Sequence, residues 1–161
     1  IGKLKKYLKK QLHHYSIMKV RILNKSKHPN PTYKTEGSAG MDIRASIEKK
    51  IILKSGGRLA IPTGLYIELP TNTEAQVRPR SGLAIKHGVT VLNTPGTIDS
   101  DYRGEIKVIL INLSDQDFEI NNGDRIAQLI LNSIEKVSWQ NIQVLQETKR
   151  GDGGFGSTGK R

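Results

Sequence analysis

The chain has 161 residues with 35% hydrophobic content, 16 Gly and 6 Pro, the balance of one folded domain rather than a disordered, fibrous or coiled-coil protein. It contains no Cys, which removes disulfides, thiolate zinc sites, iron–sulfur clusters and Cys nucleophiles together. The formal net charge is +11, but Lys3, Lys5, Lys6, Lys9 and Lys10 lie in a stretch, residues 1–17, that holds no acid, so the remainder carries +6. That excess suits a protein handling polyanions without choosing among nucleotides, nucleic acid and acidic membranes.

Within residues 1–17, Leu4, Leu8 and Leu12 stand at i, i+4 and i+8 among the lysines, a pattern that suits either a short basic amphipathic helix or a solvated tail. Met18 opens the alternating run Met-Lys-Val-Arg-Ile-Leu. Residues 1–17 are therefore expected to lie outside the domain as a basic extension, with a β domain over 18–148 and a separate arm over 149–161. From Met18 onward, β-branched segments are separated by Gly, Pro, Asn or Asp: Lys19–Leu23, Ile51–Leu53, Arg58–Ile61, Leu65–Leu69, Glu74–Val77, Val89–Leu92, Glu105–Leu113, Phe118–Ile120 and Arg125–Leu131. These predict an all-β sandwich, jelly roll or barrel. Pro70–Thr73, Asn93–Gly96 and Asn121–Asp124 are the turn clusters, and the one helical candidate is short, Ser81–Lys86, closed by Gly88.

The densest apolar run, Ile106–Leu113, is broken by Lys107 and Asn112 and is too short to cross a bilayer. It alternates Ile106, Val108 and Leu110 on one face with Ile109, Ile111 and Leu113 on the other. One core has only one inside, so the second apolar face predicts packing against another subunit. The tail, Arg150–Arg161, has five glycines around a lone Phe155 and is expected to be flexible until something orders it.

Five polar clusters remain that a sheet does not explain. Gly37-Ser-Ala-Gly-Met-Asp-Ile-Arg44 delivers Asp42 into a strand, where a turn-capping role is the plain alternative. Arg78-Pro-Arg-Ser-Gly-Leu-Ala84 leads into the helix, so Arg80 beside the first amides makes an anion site, although Ser81 as an ordinary cap reads equally well. Asn93-Thr-Pro-Gly-Thr-Ile-Asp-Ser-Asp-Tyr-Arg-Gly104 puts Asp99 and Asp101 in a rigid hairpin, as metal or water ligands or as solvated tip acids. In Gly123-Asp-Arg-Ile-Ala-Gln128, strand alternation places Gln128 on the face of Ile126 and Ile130, so its amide needs a polar partner. The fifth is the glycine tail, which reads as a phosphate-wrapping loop with an aromatic.

In this order the five clusters strongly resemble the five motifs of the trimeric dUTPase family, over about residues 18–160. The resemblance implies an all-β, jelly-roll-like (β-clip) subunit with one short helix and a flexible Gly-rich C-terminal arm. It also implies a homotrimer with active sites shared between subunits, and hydrolysis of dUTP to dUMP and pyrophosphate with Mg²⁺. Such an activity limits uracil incorporation into DNA and supplies dUMP for dTMP synthesis. By resemblance, Asp99 holds and deprotonates the water that attacks the α-phosphorus, Gln128 orients that water, and the Ser81 hydroxyl meets the bridging oxygen of the leaving group. Arg80, Arg125 and Arg150 face the triphosphate, with Gly82 beside Ser81. Asn93, Gly96, Thr97 and Ile98 bind uracil, Tyr102 lies under the deoxyribose, and Phe155, Gly156, Ser157 and Thr158 close over the nucleotide. Asp42 is expected to reach Mg²⁺ through water, the ion being held mainly by the triphosphate. The resemblance places a bacterial member in the cytoplasm, with no membrane span and no stable nucleic-acid partner.

Two other readings belong beside this one. A dCTP deaminase shares the architecture, but the water-holding hairpin and the Phe-bearing glycine tail favour the hydrolase. A basic β-barrel for single-stranded nucleic acid has the charge but only 5% aromatic residues, with Trp139 isolated. His13, His14, His28 and His87 show no metal-ligand spacing, which disfavours a zinc hydrolase.

Overall fold

The computed structural model describes residues 17–155 and 157; the basic extension up to residue 16, Gly156 and Thr158 lie outside the described residues. Among the described residues eleven strands and one helix follow in chain order: β1 (Arg21–Asn24), β2 (Met41–Arg44), β3 (Ile51–Leu53), β4 (Arg58–Pro62), β5 (Leu65–Glu68) and β6 (Thr73–Arg78) come first. Then come α1 (Ser81–His87), β7 (Val89–Val91), β8 (Gly96–Ile98), β9 (Lys107–Asn112), β10 (Phe118–Ile120) and β11 (Arg125–Ser133). Every pairing is antiparallel. The strands form a four-stranded sheet ordered β2-β11-β6-β8, a three-stranded sheet ordered β4-β9-β7, and the pairs β1-β5 and β3-β10.

Alternation drives the burial. Ala75 and Val77 of β6, Val108 and Leu110 of β9, Val89 and Val91 of β7 and Leu129 of β11 point into one core with Ile43, Leu53, Ile61 and Ile120, each large aliphatic side chain contributing roughly 1.5–3 kcal/mol by leaving water. The predicted inner face of Ile106, Val108 and Leu110 is buried. The buried polar residues are satisfied: Thr63 donates to the Ile106 carbonyl, and Asn112 donates to the Leu53 and Gln116 carbonyls while accepting from Ser114.

The helix ends where expected, at Gly88 in the left-handed region (φ 63°), whose N–H donates to the Ala84 carbonyl. Two features depart from the predicted set. Gly96–Ile98 is a full strand pairing with β6, so the third cluster is a strand leading into a hairpin. In β11 the register slips between Arg125 and Ala127, and both Ile126 and Ala127 are buried. This bulge breaks simple alternation and takes Ile126 off the face that carries Gln128.

Candidate active site

The first constellation gathers around Asp42 on β2. Arg80, the residue preceding the first turn of α1, donates Nε to Asp42 Oδ1 at 3.1 Å, and Arg125 of β11 donates Nη1 to Oδ2 at 3.0 Å. Gln128 Nε2 approaches Oδ1 at 3.5 Å, which supplies the partner its amide needed. The two arginines are tied to each other as well, Arg80 Nη1 donating to the Arg125 carbonyl at 3.1 Å. Residues 125 and 128 are an odd number apart and in a regular strand would point to opposite faces. The bulge resets the phase, so both reach the same carboxylate.

The carboxylate is only 10% exposed, against 24% for Arg80 and 44% for Arg125. Burial is the largest influence on it and pushes its pKa up. The Arg80 charge, with the hydrogen bonds from Arg125 and Arg80, outweighs that and holds Asp42 below its ordinary 3.8. The outcome is an ionised acid ordering two cations whose remaining N–H groups are available to an anion. Gly40 packs this corner: a Cβ there would lie 3.3 Å from Gln128 Oε1. Ser81 is the first helical residue rather than the cap, and the cap position makes no side-chain hydrogen bond, so the plain capping role does not apply to it. Gly82 follows with open space where its Cβ would be.

The second constellation is a cleft of about 330 Å³ between the four-stranded and three-stranded sheets. Asn93, Gly96, Thr97, Ile98, Asp99 and Tyr102 all line it. Gly96 packs closely under Asn93, since a Cβ there would lie 3.1 Å from its amide nitrogen and push that side chain aside. Asp99 is exposed, and its carbonyl accepts the Tyr102 N–H at 3.2 Å to close the hairpin turn. Sequence reasoning missed Ala60, Val77, Glu105, Lys107 and Ile109 on the same wall. The signal was present for Ile109, which belongs to the second apolar face of β9 and pairs with Ala60.

The two constellations share no lining residue. The third predicted group sits on the arm: Arg150 Nε donates to the Gly153 carbonyl at 2.8 Å, Ser157 N–H donates to the Gly154 carbonyl at 3.0 Å, and the Phe155 side chain is fully exposed. Among the described residues no group of three or more His, Asp or Glu side chains is placed to hold a metal ion.

The dUTPase family model matches residues 26–159, from the end of β1 through the arm. The chain belongs to the dUTPase family. Among curated proteins it is similar to the deoxyuridine 5'-triphosphate nucleotidohydrolase of Finegoldia magna, 56% identical over 142 residues that cover 88% of this chain and 99% of that protein. Among solved structures it is similar to a mutant dUTPase of Staphylococcus bacteriophage 80alpha with dUpNHpp, with a TM-score of 0.79 at 21% identity over 88% of this chain and 98% of the other. It is also similar to a mutant dUTPase from phage phi11 of S. aureus, described for the coordination of a structural Mg(II) ion, at TM-score 0.72 and 18% identity over 80% and 99%. The predicted fold class, mostly strands with one short helix, is the one these dUTPases share with the chain, the helix running over Ser81–His87 where Ser81–Lys86 was expected.

Proposed function

We propose that this dUTPase-family chain hydrolyses dUTP to dUMP and pyrophosphate. The observation that carries the reading is the cleft in which Asn93, Gly96, Thr97 and Ile98 stand beside Asp99 and Tyr102, a base-sized pocket with a carboxylate and an aromatic at its mouth. In it the Asn93 amide meets the uracil edge. A cytosine amino group or a 5-methyl is rejected by close walls and unpaired polar atoms, which discriminate more strongly than a missing contact.

At the reacting centre, Asp99 accepts a proton from water as the water oxygen bonds to the α-phosphorus. The bond from that phosphorus to the bridging oxygen breaks, and the leaving pyrophosphate takes the electron pair. Gln128 orients the water and the Ser81 hydroxyl donates to the bridging oxygen where charge develops. Arg80 and Arg125, pre-ordered by Asp42, and Arg150 from the arm neutralise the phosphates, since such transfer needs positioning and charge stabilisation more than covalent help. Among the described residues Asp42 is the one acid hydrogen-bonded to Arg80 and Arg125, which suits Mg²⁺ carried on the triphosphate with most of its waters retained. Asp42 would hold the ion through water, and the ion would supply charge neutralisation at the phosphate oxygens.

The complete site is proposed to form in a homotrimer. The Asp42 cluster and the cleft share no residue in one chain, which supports residues of different chains completing one another. After β11, residues 136–145 form neither helix nor strand and expose Val137 (72%), Trp139 (88%), Val144 (82%) and Leu145 (79%). A neighbouring chain covering this series removes a patch that a monomer would leave in water. In this reading residues 18–148 are the catalytic domain and 149–161 the closing arm, with Phe155, Gly156, Ser157 and Thr158 over the nucleotide. In a bacterium, the reaction serves the cytoplasmic nucleotide pool.

The test is to incubate the protein with each deoxynucleoside triphosphate and Mg²⁺ in ¹⁸O-labelled water. Consumption of dUTP alone, with label in dUMP and none in pyrophosphate, is expected. Ammonia release from dCTP would instead indicate the deaminase.

A further inference from the structure

The hairpin after Asp99 contains Gly104, and its glycine is not required by the backbone, because its φ lies outside the left-handed region. What requires it is the Tyr102 ring. A Cβ on residue 104 would fall on the Tyr102 hydroxyl, 2.5 Å from Cζ and 2.9 Å from Cε2. These atoms are the tip of a side chain that turns on χ1 and χ2, so the Cβ would displace the ring rather than the backbone.

The ring is held from its other end too. Its hydroxyl donates to the Glu105 carbonyl at 3.1 Å, and Glu105 is anchored because its carboxylate Oε1 accepts the Gly64 N–H at 2.9 Å from the β4–β5 turn. The hairpin backbone is braced separately, by Arg103 Nη1 donating to the Ser100 and Tyr102 carbonyls. The ring therefore rests on Gly104 and Glu105, while the loop that carries it stands on other contacts.

We propose that Gly104 and the anchored Glu105 form the seat of the Tyr102 ring, and that Gly104 is thereby a positioning residue for discrimination between 2'-deoxyribose and ribose nucleoside triphosphates. This rests on the dUTP reading of the cleft, in which Tyr102 lies under the sugar. A side chain at 104 pushes the ring off its seat and opens the floor that excludes a 2'-hydroxyl. Selectivity falls even where folding is unchanged.

The test compares kcat/KM for dUTP and UTP in the full-length wild type, Gly104→Ala, Tyr102→Ala and the double variant. Gly104→Ala is expected to raise the UTP-to-dUTP ratio by about tenfold or more, the scale on which a pocket senses a misfit of one carbon. In the Tyr102→Ala background the same change should leave the ratio unmoved, because Gly104 acts only through the ring. Additive effects, or an unchanged ratio in a folded Gly104→Ala, would overturn the proposal. If Gly104→Ala fails to fold, Tyr102→Phe carries the test: loss of the Glu105 tether should raise the ratio several-fold, and no rise overturns the seat. Ring NMR of tyrosine-labelled protein separates this inference from the activity it rests on. Unmoved Tyr102 resonances in Gly104→Ala would overturn the seat, whereas a displaced ring in a protein whose wild type leaves dUTP intact would overturn the dUTP reading alone.

Discussion

Replacing Asp42 by Asn keeps the shape of the side chain and removes the charge on which Arg80 and Arg125 converge. A hydrogen bond to a charged group contributes about 1.5–3 kcal/mol, and the Arg80 contact, with both partners largely shielded, lies in that range. Arg125 is 44% exposed, so solvent screening reduces its share to about 0.5 kcal/mol. The amide oxygen retains part of one contact, and the two guanidiniums are left facing each other uncompensated. The net expectation is a loss of about 2 kcal/mol, or a Tm lower by about 4–8 °C for a domain of this size. Calorimetry at a fixed protein concentration measures it, since association makes Tm concentration-dependent.

The pH dependence of that difference follows from the lowered Asp42 pKa. A carboxyl held lower in the folded than in the unfolded state contributes fully above its ordinary value of 3.8 and loses the contribution as pH falls through the folded value. The gap between wild type and Asp42→Asn should therefore be flat through neutrality and close only in acid below 3.8. Equal Tm values at neutral pH, or a gap that widens in acid, would refute the role given to Asp42.

Asp99→Asn should fold, retain nucleotide binding and lose roughly 10²–10⁴-fold in turnover, the usual contribution of a positioned base; near-normal turnover in single-turnover assays would remove Asp99 as the base. Light scattering should give roughly three times the 17.9 kDa chain mass, and emission from Trp139, the one tryptophan and 88% exposed in the single chain, should be blue-shifted in the assembled protein. An active monomer, or a solvent-exposed tryptophan spectrum in the native protein, would contradict the shared site. Truncation after Thr148 should leave a protein that binds dUTP weakly and hydrolyses it very slowly, with Phe155→Ala intermediate; unchanged turnover would show that the arm closes nothing.

The all-β class was legible in the chain because alternation over Ile106–Leu110, the β-branched segments and the turns at Pro70, Asn93 and Asn121 are local properties of short runs of residues. Gly88 closing the helix was legible for the same reason. Tertiary structure alone decided which polar groups meet. Asp42 faces Arg80 and Arg125 across sequence separations of 38 and 83 residues, and no periodicity reports such a contact. The slip in β11 is invisible to alternation, yet it puts Arg125 and Gln128 on one carboxylate. Nothing in the sequence sets Gly104 apart from the other glycines. Only the Tyr102 ring folded back over it shows that space, not backbone torsion, is what the position requires, because steric exclusion depends on where a side chain comes to rest.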